Sequence, residues 1–454
     1  MFKVVDVIKV FNGVATLGSM NQALQDPLSF WTPEMRQNDI AVFKFMGRRF
    51  VVVFTPDLAA QVLQDKDNRF GRSEIANRML VPAMGEGLLT LHGDQWKQHR
   101  KVVARAFRHE ALCELIPGIH QSATDLVKRL NMADGKDVDI LPEMMHTTFE
   151  IIQGMLFGKA IVHYDQDEVL NDVSSYLGTL GLLNIFDFMP VVSLFAGIRH
   201  MKGYAAARRF RNLTQDAVDV IRAQPVQERE PTLASMLIEA QEDGFENHHI
   251  IDNIVTFVGA GHETTSLALS WVLHLLLERP ETWAALQDEV EAIPSEQRGT
   301  VDSLKQLDLH ERVIKEAMRL YPPVPQVGRT VTDACCLGGV AVLPGDHITV
   351  AIEPIHQDPK YWDKPDQFNP DRFLQGAEGC HHRYQFLPFG GGQHTCVGMR
   401  LALWEAQIIL SGLVANFDLA LPKNPVLVEK SVRVTMRPSH GLPLRFIPKK
   451  QQAT

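Results

Sequence analysis

This chain of 454 residues has few cysteines and no excess of positive charge, and both absences exclude whole classes of protein. Five cysteines at irregular spacing are too few for a disulfide framework. They favour a reducing compartment, so we predict a cytoplasmic protein. The net charge of −9 argues against a general nucleic-acid binder, although it is compatible with a local basic patch.

The chain also lacks an uninterrupted run of the ~20 apolar residues that a membrane span requires. Charged residues interrupt the apolar segment 1–18, which does not resemble a targeting sequence. The most apolar internal stretch, 181–198, is broken by Asp187 and Pro190. We interpret this stretch as buried or as the lip of an apolar pocket, and contact with a membrane surface stays open.

Repeats, low-complexity tracts and Ser/Gly-rich linkers are absent too, and this absence favours one large domain. Helical patterns dominate from 95 to 320, and short strands and turns are predicted near the C-terminus. We therefore expect a mainly α fold with small β-sheets. Its core should span 39–446, with residues 1–38 as a lead-in.

Local signals place some of the elements. The alternating stretch 39–54 predicts a hairpin around Gly47. Thr55 and Pro56 then predict the capped start of a helix. Further on, the Pro-Gly pair at 344–345 suits a type II turn between two strands.

The chain does contain a cysteine with little side-chain bulk around it, in the sequence FGGGQHTCVG at 389–398. The residues after it have helical spacing, which places Cys396 at a helix N-terminus. There the unpaired amides and the helix dipole stabilise a thiolate, which can bind a metal or act as a nucleophile. The glycines let the backbone lie close to something large and planar. A haem iron with an axial cysteinate meets these requirements.

Two other interpretations of this segment remain open at this point. A buried free cysteine beside a glycine-rich turn is the common situation for cysteine. A zinc site is the second alternative, because soft ligands are plentiful nearby, although their spacing does not match a usual zinc pattern. The ligands for such a site would be Cys380, His381, His382, His394 and Cys396.

With the remaining motifs added, the sequence resembles the cytochrome P-450 superfamily from about residue 39 to residue 446. Five motifs of that family occur in the family's order, although FNPDRF has Asp371 where the family has glutamate. The matching positions are Trp96 and Arg100, Gly259 to Thr265, Glu316 and Arg319, Arg372, and the loop residues Phe389, Gly392, Cys396 and Gly398.

The resemblance implies haem b (iron protoporphyrin IX) between the long central helix and the helix after the cysteine, with Cys396 as the axial thiolate. Trp96, Arg100, Arg329 and His394 would reach the haem propionates, and His394 stands where the family often has arginine. The residues expected to contact the haem are Trp96, Arg100, Ala260, Gly261, Arg329, Phe389, Gly390, His394, Cys396 and Gly398.

Glu316 and Arg319 lie three positions apart, so they can pair on one face of a helix and together hold Arg372. The resemblance implies that this triad is structural and fixes the cysteine loop. A solvent-exposed ion pair would be the default interpretation without the other motifs.

The resemblance also implies a bend in the long helix near Gly261, which leaves a groove for dioxygen. Thr264 and Glu263 would deliver protons there, so the expected activity is an external monooxygenase that hydroxylates an organic substrate. The alternative is a haem-thiolate isomerase, dehydratase or peroxygenase that needs no reductase. A non-enzymatic haem carrier or sensor has little support, because no output domain is visible.

Lys97, Lys101, Arg105 and Arg108 form a basic stripe on the other face of the Trp96 helix. A solvated helix face is the plain interpretation, and the family resemblance implies docking of an acidic electron-transfer partner. No reductase is fused, so we expect a ferredoxin with its reductase, or a flavoprotein, as a separate partner of a monomeric, bacterial-type enzyme.

The substrate is expected to be apolar, such as a fatty acid, an alkane or a terpenoid, because the segments expected to line the pocket are mostly apolar. These segments are 70–91, 181–198, the helix before Gly261, and 322–327.

Overall fold

A computed structural model describes residues 3–6, 28, 31–45, 47–160, 201–294, 297–374, 382–432 and 434–449. Helices dominate these residues and small sheets join them, so the predicted mainly α fold is confirmed. The apolar stretch 181–198 lies outside the described residues. None of the described helices combines the length and the apolar character that crossing a bilayer requires.

The helices alternate with short strands at both ends of the chain and follow one another in its middle. They are α1 (Pro33–Arg36), α2 (Pro56–Gln64), α3 (Glu74–Met84), α4 (Gly93–Val103), α5 (His109–Met132), α6 (Ile140–Phe157), α7 (Met201–Ala223), α8 (Leu233–Glu239), α9 (Asn247–Leu276), α10 (Pro280–Glu291), α11 (Val301–Leu304), α12 (Asp308–Leu320), α13 (Ile352–Gln357) and α14 (Met399–Asn416).

The largest sheet has the strand order β1-β2-β3-β9-β6-β4, a second sheet has the order β10-β13-β5, and β7-β8 and β11-β12 are hairpins. The strands are β1 (Val4–Asp6), β2 (Ile40–Phe45), β3 (Arg48–Val53), β4 (Phe70–Arg72), β5 (Asp137–Asp139), β6 (Gln326–Val331), β7 (Cys335–Leu337), β8 (Val340–Val342), β9 (His347–Ala351), β10 (Phe417–Ala420), β11 (Lys430–Val432), β12 (Met436–Pro438) and β13 (Pro443–Pro448).

The local signals in the sequence place several elements correctly. The strands β2 and β3 form the expected hairpin around Gly47, whose φ of 77° suits glycine. The side chain of Thr55 accepts a hydrogen bond from the Leu58 amide at 3.4 Å and caps α2. The strands β8 and β9 flank Gly345, which has a φ of 89° in the predicted turn.

Part of the N-terminal lead-in belongs to the sheet. The strand β1 pairs in parallel with β2, and the backbone amide of Lys3 donates to the Asp39 carboxylate at 2.7 Å. Trp31 and Met35 are buried against Phe43 in the same apolar cluster. Residues before 39 therefore contribute to the packed core, which the sequence patterns did not predict.

The long helix α9 packs closely on its neighbours through small residues. A Cβ atom on Gly261 would lie 2.7 Å from a methyl group of Ile152 in α6, and a Cβ on Gly259 would lie 2.8 Å from Met84. The Thr148 hydroxyl of α6 also donates to the backbone oxygen of His262 at 2.8 Å. The helix α9 runs without interruption from Asn247 to Leu276, through the position where a bend is expected.

Glu316 and Arg319 form a wholly buried ion pair on α12. Arg319 Nε and Nη2 donate to the two carboxylate oxygens of Glu316 at 2.7 and 2.8 Å, and both side chains are 0% exposed. Arg372 Nε donates to Glu316 Oε1 at 3.3 Å. The predicted triad thus has the geometry that a structural role requires.

The pair extends toward the cysteine segment through His356 in α13. Arg319 Nη1 donates to the backbone oxygen of His356 at 2.9 Å, and the imidazole Nε2 of His356 accepts from the Leu387 amide at 2.7 Å. Burial and the nearby Arg319 charge lower the pKa of His356 to about 3. The imidazole is therefore neutral and able to accept, and it fixes the backbone two residues before Phe389.

Replacing Glu316 with alanine should destabilise the protein by about 3–5 kcal/mol, because Arg319 would be left as an uncompensated buried charge. Chemical denaturation measures the loss. Glu311→Ala is the matched control, since Glu311 pairs with Lys315 on the same helix but is 39% exposed. The control should cost less than about 1 kcal/mol. Equal losses would contradict the structural role of the buried pair.

Candidate active site

A cavity lies between α9 and the cysteine segment that leads into α14. The α9 wall consists of Thr256, Phe257, Ala260, Gly261, Thr264 and Thr265. Cys396, Val397, Gly398, Leu401, Ala402 and Glu405 form the facing wall. The remaining lining residues are Arg72, Leu88, Leu89, Trp96, Arg100, Phe107, Ile152, His394 and Thr395.

Cys396 lies in an irregular segment three residues before α14. Its amide donates to the backbone oxygen of Phe389 at 3.0 Å, which closes the loop, and its side chain opens into the cavity. Burial raises the pKa of the Cys396 thiol, while the Gly398 amide and the Arg100 charge oppose that rise. Those two groups favour the thiolate, the form that binds a metal ion.

Backbone conformation and steric contact explain why two positions of the cysteine loop are glycine. Gly392 has a φ of 68°, and a Cβ atom there would overlap the backbone oxygen of Leu63 at the end of α2. Gly390 has the same φ of 68° but has nothing within 4 Å of its Cβ position. Close contact with α2 therefore fixes the loop at Gly392, whereas Gly390 is needed only for its backbone conformation.

Thr264 lies on the α9 wall of the cavity, beside Ala260 and Gly261. Its hydroxyl donates to the backbone oxygen of Ala260 at 2.8 Å. Thr264, Ala260 and Gly261 all line the same cavity as Cys396, as the resemblance implied.

Glu263 has partners that the sequence did not indicate. Its carboxylate accepts a hydrogen bond from the hydroxyl of Thr435, which precedes β12, at 2.8 Å and forms an ion pair with Arg437 in β12. The Glu263 side chain is 6% exposed, and that of Arg437 is 23% exposed. Through these contacts Glu263 connects α9 to the C-terminal hairpin of β11 and β12.

Cationic groups lie on and beside the cavity: Arg72 and Arg100 line it, whereas Arg329 is not among its described lining residues. Arg72 in β4 and Arg329 in β6 lie directly opposite each other in the sheet, although like charges in that position are destabilising. Burial and repulsion from Arg329 and Arg100 lower the pKa of Arg72 to about 9. Arg72 also donates to the backbone oxygens of Leu91 and Leu88, at 3.2 and 3.0 Å.

His394 and Trp96 belong to the same region, and their rings meet edge to face with centroids 4.2 Å apart. Burial and the charges of Arg72, Arg329 and Arg100 lower the pKa of His394 to about 3. Its buried Nδ1 has no hydrogen-bond partner among the described residues.

These residues fit haem b. The cavity has two largely apolar walls, which suit a flat macrocycle, and the Cys396 thiol lies at this cavity. Buried, mutually repelling cations call for an anion, and two propionates would supply it. The orphaned His394 Nδ1 offers a further polar contact.

Two ionisable residues of the cavity received no role from the sequence: Arg72, which lies in the expected pocket segment 70–91, and Glu405. No motif marks Arg72, since its position depends on the pairing of β4 with β6. Glu405 on α14 is 3% exposed, and its Oε1 has no hydrogen-bond partner in the described part of the chain. Burial raises the pKa of Glu405 well above its usual value, which favours the neutral form of this carboxyl group.

The expected pocket segments are partly borne out. Leu88 and Leu89 from 70–91 and Thr256 and Phe257 from α9 line the cavity, whereas residues 322–327 are not among its described lining residues. For the zinc alternative, Cys380 and His381 lie outside the described residues. His382 contacts Asp57 instead, at 3.4 Å.

Comparison with known proteins agrees with this geometry. The family model "Cytochrome P450" matches residues 16–443. Protein LUTEIN DEFICIENT 5 of Arabidopsis thaliana is 25% identical, over 88% of this chain and 70% of that protein. Cytochrome P450 97B2 of Glycine max is 26% identical, over 94% of this chain and 84% of that protein. The crystal structure of the cytochrome P450DA heme domain shares the fold, with a TM-score of 0.82, 23% identity and 93% coverage of both chains.

Gly392→Ala should abolish haem retention, because the new methyl group would overlap the Leu63 backbone and displace the loop. Gly390→Ala is the control with the same φ and open space, and it should lose only about 1–2 kcal/mol. Haem content per protein and thermal unfolding measure the difference. If both variants kept their haem equally, contact with α2 would not fix the loop.

Proposed function

Because this chain belongs to the cytochrome P450 family of haem-thiolate monooxygenases, we propose that it hydroxylates an apolar organic substrate through a haem held by Cys396. The observation that carries the proposal is one cavity that joins the Cys396 thiol to the α9 wall with Thr264. Leu88, Leu89 and Phe257 add apolar surface, which favours a fatty acid, an alkane or a terpenoid.

Cys396 would supply the axial thiolate, and Trp96, Arg100, Arg329 and His394 would hold the propionates together with Arg72. When bound, the haem supplies the activation of dioxygen, with two electrons and two protons, that inserts one oxygen atom into a substrate C–H bond. The largely apolar walls exclude bulk water, which strengthens every polar interaction inside the cavity.

Two neighbouring residues on α9 would manage the protons. Thr264 holds a proton at its hydroxyl, and a rotation of its side chain away from the Ala260 oxygen directs that proton into the cavity. Glu263 pairs with Arg437, whose partly exposed side chain leads toward solvent. Glu263 therefore suits proton uptake, and Thr264 suits delivery.

Electrons would enter on the basic stripe, of which only Lys97 and Lys101 lie on α4, because that helix ends at Val103 and Arg105 and Arg108 follow it. Lys97, Lys101, Arg105 and Arg108 are exposed, while Trp96 and Arg100 of the same segment line the cavity. Lys97 forms an exposed pair with Asp94 at 2.9 Å. A ferredoxin or flavoprotein with an acidic surface would dock there, since rim charges chiefly set the encounter rate.

Cys396→Ala should abolish the thiolate-type spectrum of the reduced protein with carbon monoxide, together with hydroxylation. Cys113→Ser and Cys335→Ser remove thiols outside the cavity lining and should preserve that spectrum. A thiolate spectrum in Cys396→Ala would overturn the assignment of the ligand. Turnover without an electron donor would instead favour an isomerase, a dehydratase or a peroxygenase.

Thr264→Ala should uncouple the reaction, because the hydroxyl that delivers protons is lost while little volume changes. Nucleotide consumption should continue, product should fall and released hydrogen peroxide should rise. Thr264→Ser keeps a hydroxyl and should restore most of the coupling. Unchanged coupling in the alanine variant would refute the delivery role of Thr264.

Reversing Lys97, Lys101 and Arg108 to glutamate should slow reduction by an acidic partner, with a defect that depends on ionic strength. Substrate affinity should not change. Reversing the exposed Lys128, Lys159 and Lys305 gives a control with the same change in net charge. Equal reduction rates for the two triple variants in low salt would place docking on another surface.

A further inference from the structure

A cluster of potential metal ligands lies outside the catalytic cavity, at the start of α9. Glu86, His248 and His249 each offer one ligand atom, and these atoms all lie within 4.8 Å of one another. His248 and His249 are adjacent in α9, and Glu86 lies in the segment that follows α3. Two distant parts of the chain therefore bring a His2Glu set together.

His248 is already oriented as metal-binding histidines usually are. Its Nδ1 lies 3.2 Å from the Glu246 carboxylate, so this nitrogen can carry the proton and leave Nε2 with its lone pair outward. Ligating histidines commonly make such a contact to a carboxylate, which fixes the tautomer and raises the basicity of the ring.

His249 is held in place by neighbouring rings. Its ring centroid lies 4.0 Å from that of His248 and 4.7 Å from that of His99. Its Nδ1 accepts from the Glu246 amide at 3.3 Å, and a metal bound through either nitrogen would sacrifice this one long hydrogen bond.

Glu86 is placed by two clamps between its segment and α9. The Glu86 amide donates to the Asp252 carboxylate at 2.7 Å, and the Leu88 amide donates to the Asn253 side chain at 3.1 Å. The backbone that carries Glu86 is thus fixed on α9, and only its exposed side chain needs to turn toward the histidines.

We propose that Glu86, His248 and His249 bind one divalent transition-metal ion of the zinc class. Two imidazoles and one carboxylate with a water molecule form a common tetrahedral zinc set, whereas Mg²⁺ and Ca²⁺ prefer all-oxygen sets. Metal–ligand bonds of about 2.0–2.2 Å require the three atoms to move together by roughly an ångström. The charges of Glu86 and Glu246 balance those of the ion.

The site has a consequence for the cavity, because Glu86 and the cavity-lining Leu88 and Leu89 belong to one short segment. A bound ion would attach that segment to α9 by metal–ligand bonds, in addition to the two amide clamps. Binding should therefore reduce local opening of the cavity wall.

Isothermal titration of the haem-loaded protein with ZnCl2 tests the site. The wild type should bind one tight equivalent of zinc. Glu86→Gln and His248→Gln should each weaken this binding at least about tenfold, because loss of a group that merely supports a metal ligand already lowers metal affinity by about that factor. Both side chains are exposed, so neither variant should impair folding, and haem content checks this. The controls Glu110→Gln and His440→Gln alter exposed residues elsewhere and should bind zinc as the wild type does.

Hydrogen exchange supplies a second measurement. Zinc should slow exchange of the amides of residues 86–91 in the wild type and in His440→Gln, but not in His248→Gln. If no tight equivalent bound, or if the four variants bound zinc alike, the site would be refuted. Tight binding without slower exchange would refute the attachment of the cavity wall. Neither result depends on substrate turnover, so both are independent of the proposed hydroxylation.

Discussion

The buried ion pair of Glu316 and Arg319 is the interaction on which the rest of the molecule depends. Two opposite charges in a dry interior are stable only while both are present and fully hydrogen-bonded. Arg319 meets this condition by also donating to the His356 backbone, and Glu316 meets it by accepting from Arg372. His356 in turn holds the Leu387 amide, so the position of the cysteine loop follows from that of the pair.

The opposite case occurs at the cavity, where the protein brings like charges close together. Arg72 and Arg329 face each other across two strands, Arg100 helps to lower the pKa of Arg72, and the charges of all three arginines lower the pKa of His394. Such an arrangement costs stability until an anion arrives. Binding of a dianionic cofactor and stability of this region are therefore coupled, because the anion removes repulsion that the fold has already built in.

The two carboxyl groups near the cavity, those of Glu263 and Glu405, lie in different environments. Glu263 has polar partners, because both Arg437 and Thr435 contact its carboxyl group. Glu405 lies in an almost wholly buried position with an orphaned oxygen, and burial alone raises its pKa. One fold thus supplies a paired acid with a path toward solvent and, inside the cavity, a buried acid whose neutral form is favoured.

The sequence by itself determined the mainly α fold, the hairpin around Gly47 and the capped start of α2, because these features depend on neighbouring residues. Motif order was also sufficient to indicate the family, and it singled out Cys396 as the candidate haem ligand. Only the tertiary structure placed Arg72 opposite Arg329, buried Glu405 and joined Glu263 to Arg437. The reason is physical: strand register, burial and ion pairing bring together residues that are far apart in the chain, and no local pattern encodes them.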